Sequence, residues 1–346
     1  MNILLDDLPY NHTLYPFGVL KSIAYIRIGI LTIIEEWELA SGGKVFLTSQ
    51  VRKEVTGLKK IPANLIPSLN FINQLKTSPT LPSTDDCKFL EYPWHIFEYN
   101  DWAIRQDFEL ITNGKSSKSI AAGNTLINPE NIFIEEGAIV NHSILNATDG
   151  PIYIGKNSEI FEGSFIRGPF ALCEGSRIKM GAKIYGGTTI GPYSLATGEI
   201  KNSVLTAFSN KAHDGYLGDS VIGEWCNIGA GTSNSNLKNT AGVIKMWSKH
   251  KNAFVESGYK CGLIMGDYSR CAINTSFNTG TVAGISCNIF GNVFSQKFIG
   301  DFTWGNENYI FEKAISDINN WKKMKGHEIT EGEIASLKKI YELKQK

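Results

Sequence analysis

Aliphatic residues recur every six positions through the middle of the chain. The first uninterrupted series consists of Ile154, Ile160, Ile166, Leu172, Ile178, Ile184 and Ile190. A six-residue step does not fit the 3.6-residue period of an amphipathic helix, but an even step returns each marked side chain to the same face of a strand. The fourth residue after each aliphatic position is small in six of seven cases, which leaves room for the chain to turn a corner. The pattern therefore predicts a coil of short strands joined by tight corners.

Hexapeptide repeats of this kind stack into a parallel β-helix around one continuous aliphatic core. We expect the β-helix to span 125–304, with two further phases of the repeat. The second phase is predicted at Val204, Asn210, Tyr216, Ile222 and Ile228, and the third at Met265, Cys271, Phe277, Ala283 and Ile289. Between these phases, the segment 233–262 is predicted to leave the coil as a loop in which GVIKMWS and AFVES pair as a hairpin.

The two ends of the chain lack the six-residue repeat. Residues 1–111 contain the strand-like runs NILL and KVFLTS and an aromatic segment that is predicted to be helical from Ile96, which together indicate a small α/β domain. A linker follows at 112–124. Two helices are predicted within 305–346, where Thr330 and Glu333 have capping-box spacing, and we expect them to pack on the end of the coil or on a neighbouring subunit. The predicted fold class is thus mainly β.

Charge and cysteine content narrow the function classes. Acidic and basic residues balance at 34 each and form no long run of one sign, which makes nucleic acid an improbable partner. No stretch reaches the roughly 18 uncharged apolar residues of a membrane span, and the start of the chain does not resemble a secretion signal, so a cytoplasmic protein is expected. The six cysteines are scattered without a metal-binding spacing, which predicts reduced, buried thiols and no metal site.

The stretch NKAHDGYLGD, residues 210–219, interrupts the repeat and concentrates titratable side chains. A neutral imidazole is a suitable proton acceptor for an amine nucleophile near pH 7, and a carboxylate on its other nitrogen would fix the tautomer. Lysines suit a sugar phosphate as point charges. His213 is therefore a candidate general base.

The longer stretch KAHDGYLGDSVIGEWCNIGAGTSNSNLKN resembles the active-site region of bacterial bifunctional N-acetylglucosamine-1-phosphate uridyltransferase/glucosamine-1-phosphate acetyltransferases. The resemblance covers about 125–300 well and the first 110 residues weakly, as in a shortened relative with a reduced sugar-nucleotide domain. It implies a left-handed coil, a homotrimer, and acetyl-CoA bound in a groove between neighbouring subunits.

The same resemblance implies roles for individual residues. The catalytic set would be His213, Glu199 and Asp214, and the substrate-binding set Lys179, Lys201, Tyr216, Asn227 and Asn236. Lys179 stands where the family usually has Arg, and Leu237 stands where an aromatic residue is expected. Either Glu199 or Asp214 could orient the imidazole. No residue is assigned to the cofactor.

The sequence thus favours an acetyl-CoA-dependent N-acetyltransferase that acts on an amino-sugar phosphate or a nucleotide-linked amino sugar, without a metal. One alternative is sugar-1-phosphate nucleotidyl transfer with Mg²⁺ in the N-terminal domain. There the first strand runs into DDLPYNHTLYPFGVLKS, which lacks a Gly-rich phosphate loop, and only Pro16, Phe17 and Lys21 resemble the segment that follows such a loop. A trimeric scaffold or carbohydrate-binding module is the other alternative.

Overall fold

A parallel β-helix with three faces forms the centre of the molecule, in a computed structural model that describes residues 1–51, 57–78 and 80–344. Face 1 contains the strands Thr125–Ile127, Ile144–Asn146, Phe165–Arg167, Lys183–Ile184, Ser233–Asn234 and Ser276–Phe277. Face 2 contains Ile132–Ile134, Ile152–Ile154, Phe170–Leu172, Thr188–Ile190, Leu263–Met265, Thr281–Ala283 and Phe298–Ile299. Two longer strands, Glu199–Leu205 and Tyr216–Ile222, pass through both faces.

Face 3 closes the coil. Its strands are Ile139–Val140, Glu159–Ile160, Arg177–Ile178, Leu195–Ala196, Asn210–Lys211, Asn227–Ile228, Arg270–Cys271, Asn288–Ile289 and Thr303–Trp304, after which Glu307–Asn308 turns back antiparallel. Within this face the remaining neighbours pair in parallel. Every residue of the first six-residue series is at most 2% exposed. The predicted fold class, a mainly β parallel β-helix with an α/β unit before it and helices after it, is therefore confirmed.

The third predicted phase lies in the core of the coil as well. The second phase is wrong at Val204, Asn210 and Tyr216, which point outward; Val204 is buried only because the N-terminal domain packs on it. Strand pairing places Tyr216 opposite Glu199, only seventeen residues earlier, so the coil is one residue short of three full repeats. Because side chains alternate along a strand, a shift of one residue exchanges the inward and outward sets. Leu205, Lys211 and Leu217 therefore point inward in place of the three predicted residues that precede them.

The N-terminal α/β domain packs on face 2. Its parallel sheet has Ile3–Asp6 in the middle, flanked by Val45–Leu47 and Lys59–Pro62. Two small antiparallel pairs are added, Arg27–Ile28 with Leu31–Thr32 and Leu65–Ile66 with Lys88–Phe89. The helices are α1 (Ile33–Ser41), α2 (Leu69–Thr77), α3 (His95–Glu98) and α4 (Asn100–Thr112), with 3₁₀ turns at Leu8–Tyr10, Ile23–Tyr25 and, in the coil, Pro129–Asn131.

Buried contacts join this domain to the coil. Its core is continuous with the outward side chains of Val204, Val221 and Ile264 on face 2. The fully buried Asn100 donates to the carbonyl of Gly187 (2.8 Å). Because buried amides must be paired, this contact fixes α4 against the coil. The N-terminal domain therefore covers face 2 and leaves face 1 open.

The segment that leaves the coil, called the excursion below, and the C-terminal helices complete the fold. The excursion begins after Asn234 and not at 233 as predicted, because Ser233–Asn234 still pairs with Ser276–Phe277 on face 1. The predicted hairpin is confirmed as an antiparallel pair, Lys245–Ser248 with Ala253–Glu256. The helices α5 (Phe311–Lys323) and α6 (Glu331–Lys344) are present, and the capping box at Thr330 forms. They pack on Trp225, Tyr268 and other residues along the edge between faces 2 and 3, a different location from the expected coil end. This edge is lined by aromatic side chains whose apolar area the helices bury.

All six cysteines are free and buried, as predicted. None of the helices in the described part of the chain is long and apolar enough to cross a membrane. Among those same residues, no group of three or more His, Cys, Asp or Glu side chains is arranged to hold a metal ion.

Candidate functional site

Two rows of outward side chains on face 1 form the first part of the site. Ile200 is buried, so its neighbours Glu199 and Lys201 point outward. Strand register places Tyr216 on one side of Glu199 and Lys183 on the other. The structure therefore brings three of the predicted residues onto one face. It adds Lys183, which we did not predict as a binding residue.

Tyr216 is held in place by a network of polar side chains. Its ring lies over Gly218, where a Cβ atom would come within 2.3 Å of the phenol oxygen. The amide of Asn236 donates to that oxygen (3.1 Å) and to Asp219 (2.5 Å), and Asn202 donates to the other carboxylate oxygen of Asp219 (2.7 Å). The predicted partners Tyr216 and Asn236 thus meet, and the buried Asp219 joins them.

The phenol of Tyr216 stays neutral in this network. Burial, reinforced by the charge of Asp219, raises the pKa of Tyr216 to about 12. A neutral phenol keeps its hydrogen, which it can donate to a hydroxyl or phosphate oxygen of a bound sugar. Asn236 belongs to the excursion, so that segment contributes directly to the site.

His213 lies in a turn at the edge between faces 1 and 3, and its side chain is exposed. Two ammonium groups bind the carbonyls of this turn: Lys211 donates to the carbonyl of His213 (2.8 Å) and Lys179 to that of Ala212 (3.2 Å). Gly198 makes room for Lys211, because a Cβ there would lie 2.9 Å from its Nζ atom. The turn that presents the imidazole is therefore held from two sides.

Lys211 is unusual because it occupies an inward position of the coil and is only 1% exposed. Burial lowers its pKa to about 8, and the nearby carboxylate of Asp214 opposes that change. A buried cation must be paired to be tolerated. The carbonyl of His213 and the charge of Asp214 meet that requirement.

The remaining predicted residues do not share face 1. Asn227 lies on face 3, where it accepts a 3.5 Å hydrogen bond from Asn210. Lys179 lies at the edge beside the His213 turn, where its ammonium is engaged with a backbone carbonyl. Asp214 follows His213 at the same edge and is exposed. Within one chain the predicted set therefore divides between face 1, the edge and face 3.

The face 1 charges have no partner in the protein. Among the described residues, the charged groups of Glu199, Lys183 and Lys201 make no ion pair or hydrogen bond, and the imidazole of His213 makes no hydrogen bond. A carboxylate, two ammonium groups and an imidazole are thus left available near one another. Such a set can bind an anion, orient an amine and accept a proton.

Sequence reasoning missed four residues of this arrangement. Lys183 precedes an inward isoleucine, so its outward position was readable, but its neighbour Glu199 follows after sixteen residues rather than eighteen. Lys211 and Asn202 were hidden by the shifted phase. Asp219 stands in the stretch YLGD, within the region that carries the family resemblance, and could have been singled out there.

Comparison with known proteins gives matches in both halves of the chain. A profile of the family described as sugar nucleotidyl transferase matches residues 63–116, which cover the second half of the N-terminal domain and the start of the linker. The bifunctional protein GlmU of Methanocaldococcus jannaschii is 35% identical over 117 residues, which is 33% of this chain and 28% of that protein. A bifunctional sugar-1-phosphate nucleotidylyltransferase/acetyltransferase of Sulfurisphaera tokodaii is 30% identical over 209 residues, 60% of this chain and 46% of that protein.

A solved structure, that of Arabidopsis UDP-N-acetylglucosamine acyltransferase, also matches, with 14% identity, coverage of 53% of this chain and 64% of that chain, and a TM-score of 0.20. This low identity and TM-score assign no function to the chain. The matched segments span less than half of the curated relatives described above. Over those segments, this chain is a relative of the bifunctional sugar-1-phosphate nucleotidyltransferase/acetyltransferases.

Proposed function

We propose that this relative of the bifunctional enzymes is an acetyl-CoA-dependent N-acetyltransferase whose acceptor is an amino-sugar phosphate or a nucleotide-linked amino sugar. The observation that carries the proposal is the unpaired set Glu199, Lys201 and His213, which stands beside the ordered Tyr216. The relatives' names include both sugar 1-phosphates and acetyl transfer. A residue with a strongly perturbed pKa, here Tyr216, that lies beside other titratable groups marks a candidate functional site.

The reaction follows from the chemistry of an amine and a thioester. The amine nitrogen of the sugar attacks the thioester carbonyl, a nitrogen–carbon bond forms and the carbon–sulfur bond breaks. His213 accepts the proton that the amine loses and can pass it to the departing CoA thiolate. Lys201 and Lys183 bind the phosphate, and Tyr216 donates to a sugar oxygen. Neither Glu199 nor Asp214 bonds the imidazole in the structure, so we expect one of them to accept its N–H when the acceptor is bound and thereby fix the tautomer that can accept a proton.

A homotrimer is part of this proposal. Within one chain, Asn227 on face 3 cannot face a ligand bound on face 1, whereas face 3 of a neighbouring chain could. His213 lies at the edge where such a groove would form, and acetyl-CoA would occupy that groove. We expect sedimentation to give three times the chain mass, and a stable monomer at micromolar concentration would contradict the shared site.

The match at residues 63–116 favours a second candidate, sugar-1-phosphate nucleotidyl transfer with Mg²⁺ in the N-terminal domain. The third possibility, a non-catalytic scaffold or carbohydrate-binding module, predicts that acetyl-CoA does not bind. One experiment separates the three. CoA release from acetyl-CoA is measured with a panel of amino-sugar 1-phosphates and nucleotide-linked amino sugars, and pyrophosphate release is measured with nucleoside triphosphates and Mg²⁺.

The acetyltransferase proposal expects acceptor-dependent CoA release from the wild-type chain. Pyrophosphate release alone would assign the second function. Failure to bind acetyl-CoA would favour the third.

A further inference from the structure

A cavity of about 320 Å³ lies on face 1, next to the proposed sugar site and one to three coils toward the N-terminus. Its lining includes Phe165, Arg167, Lys183, Tyr185 and Asn146. None of these residues has a role in the acetyl transfer itself, apart from Lys183. The cavity is therefore additional binding space that a sugar 1-phosphate alone would not fill.

Strand register makes this cavity continuous with the proposed site. Lys183 pairs with Glu199, and Phe165 pairs with Lys183 on the next coil. The second row of outward side chains runs beside the first. In it Tyr185 lies next to Lys201, and Arg167 lies one coil farther toward the N-terminus. Neighbouring strands are about 4.8 Å apart, so the two rows extend roughly 10 Å from the sugar site to Phe165 and Arg167.

The order of side chains along these rows matches the order of groups in a nucleotide-linked sugar. Nearest the proposed amine site are the unpaired cations Lys201 and Lys183, which suit a diphosphate. Along each row an exposed aromatic ring lies on the coil after the cation: Phe165 (53% exposed) after Lys183, and Tyr185 (41% exposed) after Lys201. Aromatic rings of this kind stack on nucleobases. Asn146 on the far side of the cavity accepts from the Thr148 N–H (3.0 Å), and its NH2 group can donate to the edge of a base.

Arg167 has a different role from the lysines. It forms an ion pair with Asp149, so its charge is already balanced and it is not counted as a free phosphate ligand. Two unpaired lysines and two aromatic rings therefore define the chemistry. An apolar peptide or a lipid tail would leave the two lysines unpaired, whereas a nucleoside diphosphate uses all four groups.

We propose that this cavity is a nucleotide subsite and that the acceptor is an amino sugar linked to a nucleoside diphosphate. The inference rests on the proposed acetyl transfer for the identity of the sugar end, but the nucleotide end can be tested without any reaction. In this arrangement the amine faces His213, the diphosphate lies on Lys183 and Lys201, and the base packs against Phe165 and Tyr185.

The first test is equilibrium binding of uridine diphosphate and thymidine diphosphate to the full wild-type chain, Tyr185→Ala and Tyr259→Ala. Tyr259 is the matched control, because it is an exposed tyrosine (63%) on the excursion, away from the cavity. Loss of one base stack is expected to weaken binding about 10- to 100-fold in Tyr185→Ala, and Tyr259→Ala is expected to bind as wild type does. Absence of nucleotide binding, or binding that Tyr185→Ala does not change, would overturn the subsite.

The second test is kinetic and uses the same variants. The kcat/KM for a nucleotide-linked amino sugar is expected to exceed that for the corresponding amino-sugar 1-phosphate, and Tyr185→Ala is expected to remove most of that preference. Equal kcat/KM values for the two acceptors in wild type would contradict the inference.

The two tests distinguish failure of the nucleotide subsite from failure of the proposed acetyl transfer. If the wild type binds nucleotide through Tyr185 but acetylates no amino sugar, the acetyl transfer is wrong and the subsite stands. If Tyr185→Ala changes the sedimenting mass and leaves nucleotide affinity unchanged, the cavity is a contact between copies of the chain and the subsite is wrong.

Discussion

Face 1 of the coil carries the proposed acetyltransferase site, and the carboxyl edge of the N-terminal sheet is where the alternative nucleotidyl transfer would take place. The polar groups of these two surfaces are engaged differently. On face 1 the charged ends of Glu199, Lys183 and Lys201 have no partner among the described residues. At the carboxyl edge of the sheet, Asp7 accepts from both the backbone and the hydroxyl of Ser49 (2.9 and 2.6 Å). The first surface keeps its charges available, and the second uses them internally.

Lys21 shows the same contrast. Lys21 belongs to the residues that resemble the segment after the phosphate loop of sugar nucleotidyltransferases. Its ammonium, however, lies 2.5 Å from the carboxylate of Glu224 in the coil. Burial opposes the charged form of Lys21, but the charges of the buried Asp267 and of the partly exposed Glu224 outweigh it and raise the pKa of Lys21. Lys21 therefore fastens the N-terminal domain to the coil. A lysine can therefore belong to a binding site or hold two domains together, depending on whether its charge already has a partner in the protein.

The largest expected effect is that of His213→Ala on acetyl transfer. Loss of a general base lowers kcat typically 10²- to 10⁴-fold, which is about 3 to 5 kcal/mol of transition-state stabilisation. Because the side chain is exposed and unbonded, the trimer, acetyl-CoA binding and melting temperature should stay unchanged. Steady-state kinetics and a thermal melt check both statements.

Lys21→Met is the matched control in the other region. It leaves Glu224 and Asp267 without their cation, so we expect a lower melting temperature and unchanged kcat for acetyl transfer. A His213→Ala chain with full turnover, or a Lys21→Met chain that folds normally but has lost acetyl transfer, would reverse the comparison.

The six-residue period determined most of the fold from sequence alone. It located the β-helix because each aliphatic position from Ile154 to Ile190 must be buried for the coils to stack. It failed between Lys183 and Ile222, where strand partners fifteen to seventeen residues apart replace the expected eighteen. A deletion of one residue does not change composition or spacing enough to be seen, yet it turns Tyr216 from the core to the surface.

The candidate site was less predictable than the fold. The resemblance supplied Glu199, Lys201 and Tyr216, which the structure places together, since they lie on neighbouring strands of one face. It could not supply Lys211, because a lysine in the interior contradicts every expectation from hydrophobic patterning. Only the register that puts its Nζ atom beside the carbonyl of His213 reveals the contact.

The next effect in size concerns stability and pH, and involves Lys211→Met. Burial lowers the pKa of Lys211 to about 8, well below the ordinary value for lysine. The unfolded chain therefore keeps this proton over a pH range in which the native chain has lost it, and native stability rises with pH in that range. The shift corresponds to about 3 kcal/mol.

We expect the free energy of unfolding of wild type, minus that of Lys211→Met, to increase by up to about 3 kcal/mol between pH 7 and pH 10. Other titrating groups cancel in the difference between the two chains. Denaturant unfolding at several pH values measures it, and values below pH 7, where the difference should be constant, serve as the internal control. A difference that is flat or falls with pH would show that the ammonium is not buried in the native coil.

A smaller effect separates the two carboxylates that could orient His213. Glu199 is half-buried on face 1, whereas Asp214 is exposed and its charge already opposes that of Lys211. Neither carboxylate bonds the imidazole in the structure, so the orienting hydrogen bond would form in the acceptor complex. A hydrogen bond to a charged group contributes about 1.5 to 3 kcal/mol, so Glu199→Gln should lower kcat/KM roughly 10- to 100-fold if Glu199 makes that bond. Asp214→Asn should lower it much less. The reverse order in steady-state kinetics would assign the orienting role to Asp214.

The smallest expected effect is that of Asp6→Asn, at the carboxyl edge of the N-terminal sheet. Asp6 lies 2.8 Å from Lys60, and the lysine side chain is 60% exposed, so the pair contributes at most about 1 kcal/mol. Acetyl transfer on face 1 should not change, because Asp6 contacts no residue of that site. A working nucleotidyl site with Mg²⁺ would instead need carboxylates at this edge, since oxygen ligands hold that ion. Pyrophosphate release by wild type that Asp6→Asn abolishes would therefore show that this edge is a second active site, and the contrast between an available face and a fully used edge would be wrong.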